Sequence, residues 1–344
     1  MKARVEHLPI EIWLIIYSYF EIHELFYIFN NLNYYFNSLL NSHHLSFYLR
    51  LVKNDENDRN NLIKTNFNRI TYLQSTLWHS SGGFPKLFID HIDKFTKLKS
   101  LKVHISNSQT KILCQALQQL PLLEYLSLRC QMTEELLATV LSISKLRIFH
   151  LELYKLMESI QYYSNQSNNI QAFYINISNE SDYQIMNLCL IQMLKLKRLE
   201  ILNYDYDYPK LLILKQSIVF LEIRNVKLKW NFKYIQTDFL ERLITKMPMI
   251  EQLYLDIFCC YLDKVFFKTL IDHWWFIIIK LNQIHIFIRG NIDFPRISSK
   301  NRRKMLEYYQ QRLFYQNEKI NRRFKITWTQ NDDLEGRFMK ILIC

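Results

Sequence analysis

The stretch LEYLSLRCQMTEELLATVLSISKLRIFHL, residues 123–151, contains the same apolar pattern twice, with a helix-compatible segment in between. In LEYLSL and in LRIFHL, an apolar residue is followed by two spacers, a second apolar residue, one spacer and a third apolar residue. On a strand, the last two apolar residues face one side and the spacer between them faces the other. In the intervening EELLATVLSIS, apolar residues recur three and four positions apart, which is typical of a helix. The stretch therefore predicts a short strand, a helix and another strand.

The pattern recurs along most of the chain. Its other copies are LKSLKV from Leu98, IQAFYI from Ile170, LKRLEI from Leu196, IVFLEI from Ile218, IEQLYL from Ile250 and LNQIHI from Leu281, with a weaker copy in ITYLQS, Ile70 to Ser75. The eight stronger copies follow one another at intervals of 22 to 32 residues. A strand-and-helix unit of this length cannot bury both of its faces alone, but stacked copies can. We therefore expect a curved α/β solenoid whose parallel strands line the concave side.

Helix signals fall between these strands. Besides EELLATVLSIS, the segments with helical spacing are QTKILCQALQQLP, QIMNLCLIQMLK, DFLERLITKMP and KVFFKTLIDHWW. Thr133 and Thr237 stand where N-caps are expected, because a threonine side chain can accept a hydrogen bond from the first helical turn. Pro121 and Pro248 follow directly after predicted helices, which a proline cannot continue.

The repeats resemble the leucine-rich repeat family from about Leu98 to Ile288. One position departs from that family, which usually carries Asn or Cys three residues after the last apolar residue of the strand. At that position this chain has Ser106, Gln131, Tyr154, Ser178, Tyr204, Val226, Phe258 and Arg289. The alternative interpretation is another α/β array with irregular repeats.

Glycine usage excludes several large classes of enzyme. The chain has only four glycines, Gly82, Gly83, Gly290 and Gly336. Loops that hold phosphate groups need glycines at fixed spacing, and neither G-x-x-x-x-G-K-[ST] nor G-x-G-x-x-G occurs here. The G-x-S-x-G pattern of a nucleophile elbow is also missing. We therefore predict no catalytic residue and no cofactor.

Cysteine and histidine spacing does not indicate a metal site. The six cysteines form no C-x-x-C pair, and the ten histidines form no H-E-x-x-H motif. Scattered cysteines in a chain of this size are typical of a reducing compartment. Glu6 and Glu11 interrupt the run that a signal peptide would need, and no apolar run is long enough to span a membrane. We therefore expect a cytoplasmic or nuclear protein.

The stretch that precedes the repeats, His7 to Leu40, reads HLPIEIWLIIYSYFEIHELFYIFNNLNYYFNSLL. Its apolar spacing predicts three short helices, the first of which begins at Pro9. About forty residues cannot bury this much apolar surface by themselves, because small domains bury a small fraction of their area. A surplus of this kind indicates an interface.

This segment resembles the F-box family over residues 6 to about 45. The opening Leu-Pro-x-Glu of that family, its isoleucine-rich helix, its acidic-leucine pair and its closing valine and tryptophan have counterparts here. These counterparts are Leu8 to Glu11, Ile12 to Phe20, Glu24 with Leu25, and Leu32 with Phe36. F-box proteins often join this motif to leucine-rich repeats.

The resemblance implies a substrate-recognition subunit of an SCF-type cullin–RING ubiquitin ligase. The F-box would dock on a Skp-type adaptor, and through it on a cullin, while the repeats bind a substrate protein. The chain would contribute placement and would not be an enzyme. The residues that the resemblance assigns to the adaptor are Leu8, Pro9, Glu11, Ile12, Ile16, Phe20, Leu25, Leu32 and Phe36. Alternatively, the same helices only cap a repeat-based protein-binding scaffold that has no ligase role.

The predicted strands supply candidate residues for substrate binding. Aromatic and basic side chains on a rigid strand face are typical of residues that dominate binding energy. The predicted outward-facing residues are Lys102, Tyr125, His150, Tyr174, Arg198, Glu222, Tyr254 and His285. The alternative is an ordinary solvated strand face.

Positive charge is concentrated near the end of the chain. The net charge is +12, and the thirty residues from Arg296 to Lys325 contain ten Lys or Arg residues and two acidic residues. Basic residues interleaved with aromatic ones can bind nucleic acid, whereas a last helix with an exposed basic face would only cap the array. The predicted domains are an F-box at 1–45, a connecting segment with the weak repeat copy at 46–95, leucine-rich-like repeats at 96–290 and a basic cap segment at 291–344.

Overall fold

The computed structural model describes residues 8–42, 44–51, 66–75, 88, 90–153, 168–178, 180–203, 219–232, 239–259, 281, 283–290, 307–308, 311, 324–330 and 337–343. The chain divides into two compact units, Met1–Asn169 and Ile170–Cys344. Each unit is an α/β assembly in which parallel strands follow one another in chain order, and the second unit adds a final antiparallel pair of strands in reversed order. The prediction of an α/β fold with repeated parallel strands is therefore confirmed.

In its described residues, the first unit begins with three helices and continues with five strands and two further helices. Its elements are α1 (Ile10–Tyr17), α2 (Ile22–Phe29), α3 (Tyr34–Leu40), β1 (Phe47–Leu51), β2 (Ile70–Ser75), β3 (Ser100–His104), α4 (Thr110–Gln118), β4 (Tyr125–Cys130), α5 (Glu134–Ser142) and β5 (Ile148–Leu153). Short 3-10 turns at Phe67–Arg69, Ile92–Lys94 and Asn107–Gln109 complete it.

Buried apolar residues hold the strands of the first unit in register. Each strand from β1 to β5 pairs in parallel with the next. Leu73 is the partner of Leu101, which is the partner of Leu126, which is the partner of Phe149. All four side chains are buried, so the second apolar position of the repeat forms one continuous row in the core.

The region at 46–95 contains more regular structure than predicted. The weak copy ITYLQS forms β2, and FYLRL forms an additional strand, β1, that the sequence analysis missed. Phe47 and Leu49 are buried like the apolar residues of the other strands. The position that should hold the first apolar residue of this copy is Ser46, so the pattern search did not find it.

The second unit contains seven strands and two helices in its described part. Its elements are β6 (Ala172–Ile177), α6 (Glu180–Gln192), β7 (Arg198–Asn203), β8 (Asn225–Phe232), α7 (Phe239–Lys246), β9 (Gln252–Cys259), β10 (Gln283–Gly290), β11 (Phe324–Gln330) and β12 (Arg337–Ile343). Strands β6 to β10 are parallel, β12 is antiparallel to β10, and β11 is antiparallel to β12. The antiparallel pair in the segment 291–344 was not predicted.

One repeat copy was assigned to the wrong register. The sequence analysis placed a strand at IVFLEI, residues 218–223, but the strand begins at Asn225. The matching copy is IRNVKL, in which Ile223, Val226 and Leu228 are buried. Both readings share Ile223, so the apolar pattern fits either, and the pairing with β7 and β9 decides between them.

The predicted helices lie between the strands, as the spacing indicated. In α5, the Thr133 side chain accepts a hydrogen bond from the Leu136 N–H at 3.2 Å, which confirms the predicted N-cap. Leu113 of α4 and Val140 of α5 are buried on the inward faces of their helices. The predicted N-cap Thr237 and the segment KVFFKTLIDHWW lie outside the described residues. In the described part of the chain, no helix has both the length and the apolar character needed to cross a membrane.

Arg69 connects the helical segment to the first strands. Its guanidinium donates hydrogen bonds to the carbonyls of Leu40 at 2.6 Å and Ser42 at 2.7 Å, and to the Asn66 side chain at 3.0 Å. The same group stacks over the Phe47 ring at 4.3 Å. Burial lowers the pKa of the Arg69 guanidinium. Because a guanidinium has several N–H donors, it can bond to more than one carbonyl at once.

The turn between α1 and α2 lies against the outer edge of β1. Glu21 forms an isolated parallel bridge with Tyr48, on the side of β1 that does not pair with β2. The three predicted N-terminal helices therefore exist, and they belong to the same unit as the first strands.

Candidate binding surfaces

Aromatic side chains form the interior of the N-terminal helical segment. The Trp13 ring lies edge-on to Phe36 with centroids 4.9 Å apart, and the Tyr17 ring lies 4.8 Å from Phe29. Trp13, Tyr17 and Phe36 are buried. Burial, with a smaller contribution from Tyr35, raises the pKa of Tyr17 to about 12. The inward face of α1 is therefore aromatic, and its isoleucines lie on other faces.

Polar side chains fix the starts of α2 and α3. The Glu21 N–H donates to the Glu24 carboxylate at 2.9 Å, and the Glu21 side chain accepts from the Glu24 N–H, which forms a capping box. Asn33 accepts from the Phe36 N–H at 3.0 Å and caps α3. The acidic residue of the resemblance, Glu24, thus has a role in the fold of the segment itself.

An apolar stripe runs along the exposed side of α1. Leu8, Ile12, Ile15 and Tyr19 recur four and three residues apart, and their exposed fractions are 40%, 42%, 55% and 83%. We call these four residues the helical apolar stripe. Further exposed apolar residues of the same segment are Ile10, Tyr27, Ile28, Leu32 and Tyr34. Single exposed apolar residues are normal on a protein surface, but nine within 27 consecutive residues form an unusual concentration.

The structure divides the predicted adaptor residues into two groups. Leu8, Pro9, Glu11, Ile12 and Leu32 are exposed, and Ile16 and Phe20 are half-buried. Leu25 and Phe36, by contrast, are buried, with exposed fractions of 0% and 7%. The Phe36 ring packs against Trp13 and Phe29 within the helical segment. The assignment of Leu25 and Phe36 to an adaptor stays a prediction. The structure adds Ile15, Tyr19, Tyr27 and Ile28, which the sequence analysis did not select.

Of these four residues, Ile15 lies in α1 and could not be selected from the sequence of that helix. Seven of the eight residues in IEIWLIIY are apolar, so no polar face marks the solvent side of this helix. The only signal is residue type, because the two aromatic residues Trp13 and Tyr17 face inward while Ile12 and Ile15 face outward.

The strand face of the first unit carries aligned polar and aromatic residues. Tyr48 and Tyr72 are register partners with ring centroids 4.5 Å apart, and both hydroxyls donate to the Gln74 side chain. Burial raises the pKa of Tyr72 to about 12, with smaller contributions from neighbouring tyrosines. Two strands farther along, Arg129 pairs with Glu152 at 3.2 Å. This face is thus internally bonded over much of its area.

Two charged residues lie between two aromatic residues on the strand face of the second unit. Tyr174, Glu200, Lys227 and Tyr254 are successive register partners on β6 to β9. The Glu200 carboxylate forms an ion pair with the Lys227 ammonium at 2.6 Å and lies 3.9 Å from the Arg198 guanidinium. The Glu200 side chain is only 12% exposed, so its charge is largely withdrawn from solvent while both cations remain accessible.

Two cations of this cluster also lie over aromatic rings. The Arg198 guanidinium is 5.4 Å from the centroid of Tyr174, and the Lys227 ammonium is 5.7 Å from that of Tyr254. Such contacts stabilise a cation where part of its hydration shell is removed. Each cation therefore has a defined place beside a ring while part of it stays accessible to solvent.

An open groove of about 520 Å³ lies over β7, β8 and β9. Its polar lining comes from Arg198, Asn225, Lys227, Lys229, Gln252 and Tyr254. The volume is in the range of ordinary ligand pockets, and the lining offers positive charge, two amides and an aromatic ring. We call this surface the basic groove.

Most predicted substrate residues lie on strands, but one does not. Lys102, Tyr125, His150, Tyr174, Arg198, Tyr254 and His285 are on β3, β4, β5, β6, β7, β9 and β10. Glu222 lies in a bend before β8, and the residue at the predicted position is Lys227. Of the predicted residues, the structure brings Arg198 and Tyr254 together in the basic groove, with Tyr174 beside Arg198. Lys229 was missed because the register error displaced its strand.

The described cysteines do not have the properties of nucleophiles. Cys114, Cys130 and Cys189 are free and buried. Burial raises the pKa of all three thiols, and that of Cys189 reaches about 12, so the reactive thiolate is disfavoured. Within the described residues, no group of three His, Cys, Asp or Glu side chains is arranged to hold a metal ion.

Comparisons with known proteins do not assign the chain to a family. No protein-family model matches it, and no curated protein is significantly similar to it in sequence. The interpretation of the two surfaces consequently depends on their own geometry.

Proposed function

We propose that this protein is the substrate receptor of an SCF-type cullin–RING ubiquitin ligase, working in the cytosol or nucleus. In this proposal α1 to α3 dock on a Skp-type adaptor, which links them to a cullin, and the strand faces hold the substrate protein. The proposal is carried by one observation, the helical apolar stripe with the exposed residues of α2 and α3 around it.

The energetic argument concerns exposed aliphatic side chains. Full burial of an isoleucine or leucine side chain is worth about 1.5–3 kcal/mol, and this chain leaves Leu8, Ile12 and Ile15 about half exposed. Tyr19 and Tyr27 add aromatic area, which often dominates binding at interfaces. A helical partner surface could cover the stripe in the way that one amphipathic helix lies in a groove of another protein.

A cap role for the same helices is the competing function. The Glu21–Tyr48 bridge and the Arg69 hydrogen bonds favour it, since they bind the helices to the first strands. These contacts, however, leave the helical apolar stripe exposed. The repeat scaffold without a ligase role therefore remains the second candidate. For the third candidate, nucleic-acid binding by the basic tail, the decisive Arg302, Arg303, Lys304, Arg312, Arg322 and Arg323 lie outside the described residues.

Co-expression of the full chain with a Skp-type adaptor tests the proposal. We expect a one-to-one complex by size-exclusion chromatography with light scattering, and its loss in the double variant Ile12→Ser/Ile15→Ser. Leu194→Ser/Val219→Ser is the matched control, since it removes two exposed aliphatic side chains from the second unit. A wild-type chain that ignores the adaptor would overturn the proposal, and a complex that survives the first double variant would overturn the assigned surface.

A further inference from the structure

The basic groove carries more positive than negative charge at its surface. Three of its lining residues, Arg198, Lys227 and Lys229, are cationic, and no described residue that lines it is acidic. Two carboxylates lie nearby. Glu200 is 12% exposed and already paired with two of the cations, and Asp256, the register partner of Lys229, is 6% exposed. A ligand entering from solvent therefore meets the cations first.

The spacing of the cations fits an extended chain. Lys227 and Lys229 are two residues apart on β8, so they lie on one face about 7 Å from each other. In an extended peptide, alternate side chains have the same spacing and the same direction. Arg198 is on the neighbouring strand, about 5 Å away in the direction across the sheet.

The uncharged lining suits a peptide backbone. Asn225 and Gln252 are register partners on β8 and β9, and each amide can both donate and accept a hydrogen bond. A bound segment running along β8 could bond to these amides between its charged contacts. The groove thus offers partners for the side chains and for the main chain of the same ligand.

The aromatic residues argue against a single-stranded nucleic acid as the ligand. Such ligands are bound by stacking of bases on exposed aromatic rings. Here the Tyr174 ring is covered by Arg198 and the Tyr254 ring is approached by Lys227.

We propose that the basic groove binds an extended acidic peptide segment, with carboxylates of alternate residues paired to Lys227 and Lys229 and a further carboxylate on Arg198. The inference deepens the proposed function and rests on it, because the acidic segment would belong to the protein that the ligase recognises. It assigns a chemical class to the substrate, namely a stretch in which Glu or Asp occupies every second position.

Fluorescence anisotropy with the purified full chain tests the inference. The probe is a labelled peptide in which glutamate alternates with serine, and the comparison peptide has glutamine in place of each glutamate. We expect the first peptide to bind at least tenfold more tightly, with an affinity that falls as salt is added. In Arg198→Gln/Lys229→Gln we expect a loss of about tenfold.

Three controls keep the test decisive. Lys145→Gln/Arg147→Gln removes the same charge from exposed residues of the first unit and should leave binding unchanged. Glu200→Gln removes a nearby negative charge and should strengthen peptide binding about threefold. This effect of opposite sign keeps the test valid if Arg198→Gln/Lys229→Gln folds poorly. Thermal melting of every variant identifies loss of fold.

Several outcomes would overturn the inference. These are no measurable binding of the glutamate peptide, equal binding of the glutamine peptide, no effect of Arg198→Gln/Lys229→Gln in a folded protein, or a thymidine oligonucleotide that binds more tightly through the same residues. Adaptor binding is measured separately on the same preparations. A chain that binds the acidic peptide but not the adaptor would refute the ligase role and leave the peptide site standing.

Discussion

The N-terminal helical segment and the strand face of the second unit differ in the chemistry of their exposed residues. On α1, most residues that face solvent are aliphatic, while the aromatic residues Trp13 and Tyr17 fill the interior. On β7 and β8, the residues that face solvent are mostly charged, and Glu200 forms ion pairs with two of them. The strand face satisfies much of its charge within the chain, whereas the helical apolar stripe can gain only from a second molecule.

This difference separates two kinds of recognition. Burial of aliphatic surface is insensitive to salt and rewards one partner of complementary shape. A charged groove responds to salt and selects ligands by sign and spacing of charge. A protein that joins one constant partner to several different ligands can use an aliphatic surface for the first and a charged groove for the others. In this chain the two surfaces lie in different units.

The largest expected effect comes from the interior of the helical segment. Leu25→Ala or Phe36→Ala should lower the free energy of unfolding by about 3 kcal/mol, because each deletes buried side-chain volume. Ile12→Ser should lower it by only about 1 kcal/mol, because the side chain is already 42% exposed. Urea denaturation of each variant measures this. An equally large loss in Ile12→Ser would show that the stripe stabilises the fold and would remove the contrast between the two faces of α1.

Arg69→Ala should have the next largest effect, a loss of about 2 kcal/mol, because it leaves the carbonyls of Leu40 and Ser42 without their donor. Urea denaturation gives the size of the loss, and limited proteolysis shows whether the helices are released first. Arg69→Lys is the matched control. It keeps the charge but cannot reproduce the planar fork, so it should fall between the wild type and Arg69→Ala. A fully stable Arg69→Ala would mean that aromatic packing alone holds the helices.

Alkaline pH should weaken the helical segment. The pKa of Tyr17 is raised to about 12 in the folded chain from an ordinary value of 10.0, since burial disfavours the tyrosinate. The stabilisation is therefore complete below pH 10 and is lost as the pH rises toward 12. Tyr17→Phe should reduce the alkaline loss by about 1 kcal/mol in urea denaturation at several pH values.

Two further comparisons show how much of the alkaline loss of stability comes from Tyr17. Some alkaline loss should persist in Tyr17→Phe, because burial raises the pKa of Tyr72 in the same way. Tyr19→Phe is the control, since the Tyr19 side chain is 83% exposed. An equal change in both variants would show that the burial of Tyr17 is not responsible.

The smallest expected effect lies on the strand face. A double-mutant cycle with Glu200→Gln and Lys227→Gln should give a coupling energy of about 1 kcal/mol, since the carboxylate is 12% exposed. The same cycle for Lys99 and Glu124, an exposed pair 3.9 Å apart, should give about 0.3 kcal/mol. Added salt should reduce the second value more than the first. Equal coupling energies would show that Glu200 and Lys227 interact no more strongly than an exposed ion pair.

The repeated apolar pattern predicted most of the parallel strands of each unit because its information is local and periodic. Leu98, Leu123 and Leu146 are all buried, and each follows a turn and stands two residues before its strand, as the spacing required. The pattern failed where it was ambiguous, at Ile223, which fits two overlapping copies. It also failed at Ser46, where a polar residue replaces the first apolar one.

The surfaces were less predictable than the fold. The apolar content of α1 is uniform, so periodicity could not separate the outward Ile15 from the inward Trp13. The Arg69 hydrogen bonds join residues 24 to 29 positions apart and leave no trace in local spacing. Lys229 became a candidate only when strand pairing set it beside the other cations of the basic groove.

The bridge between Glu21 and Tyr48 has a practical consequence for truncation experiments. It places the α1–α2 turn against the outer edge of β1, where unpaired main-chain groups could otherwise add a strand from another molecule. Removal of the helices would uncover this edge and favour aggregation of the shortened chain. A truncated protein that no longer captured the adaptor would therefore be uninformative, since self-association alone could hide every other surface. Point substitutions on the outside of α1 avoid this, because they leave the edge of β1 covered.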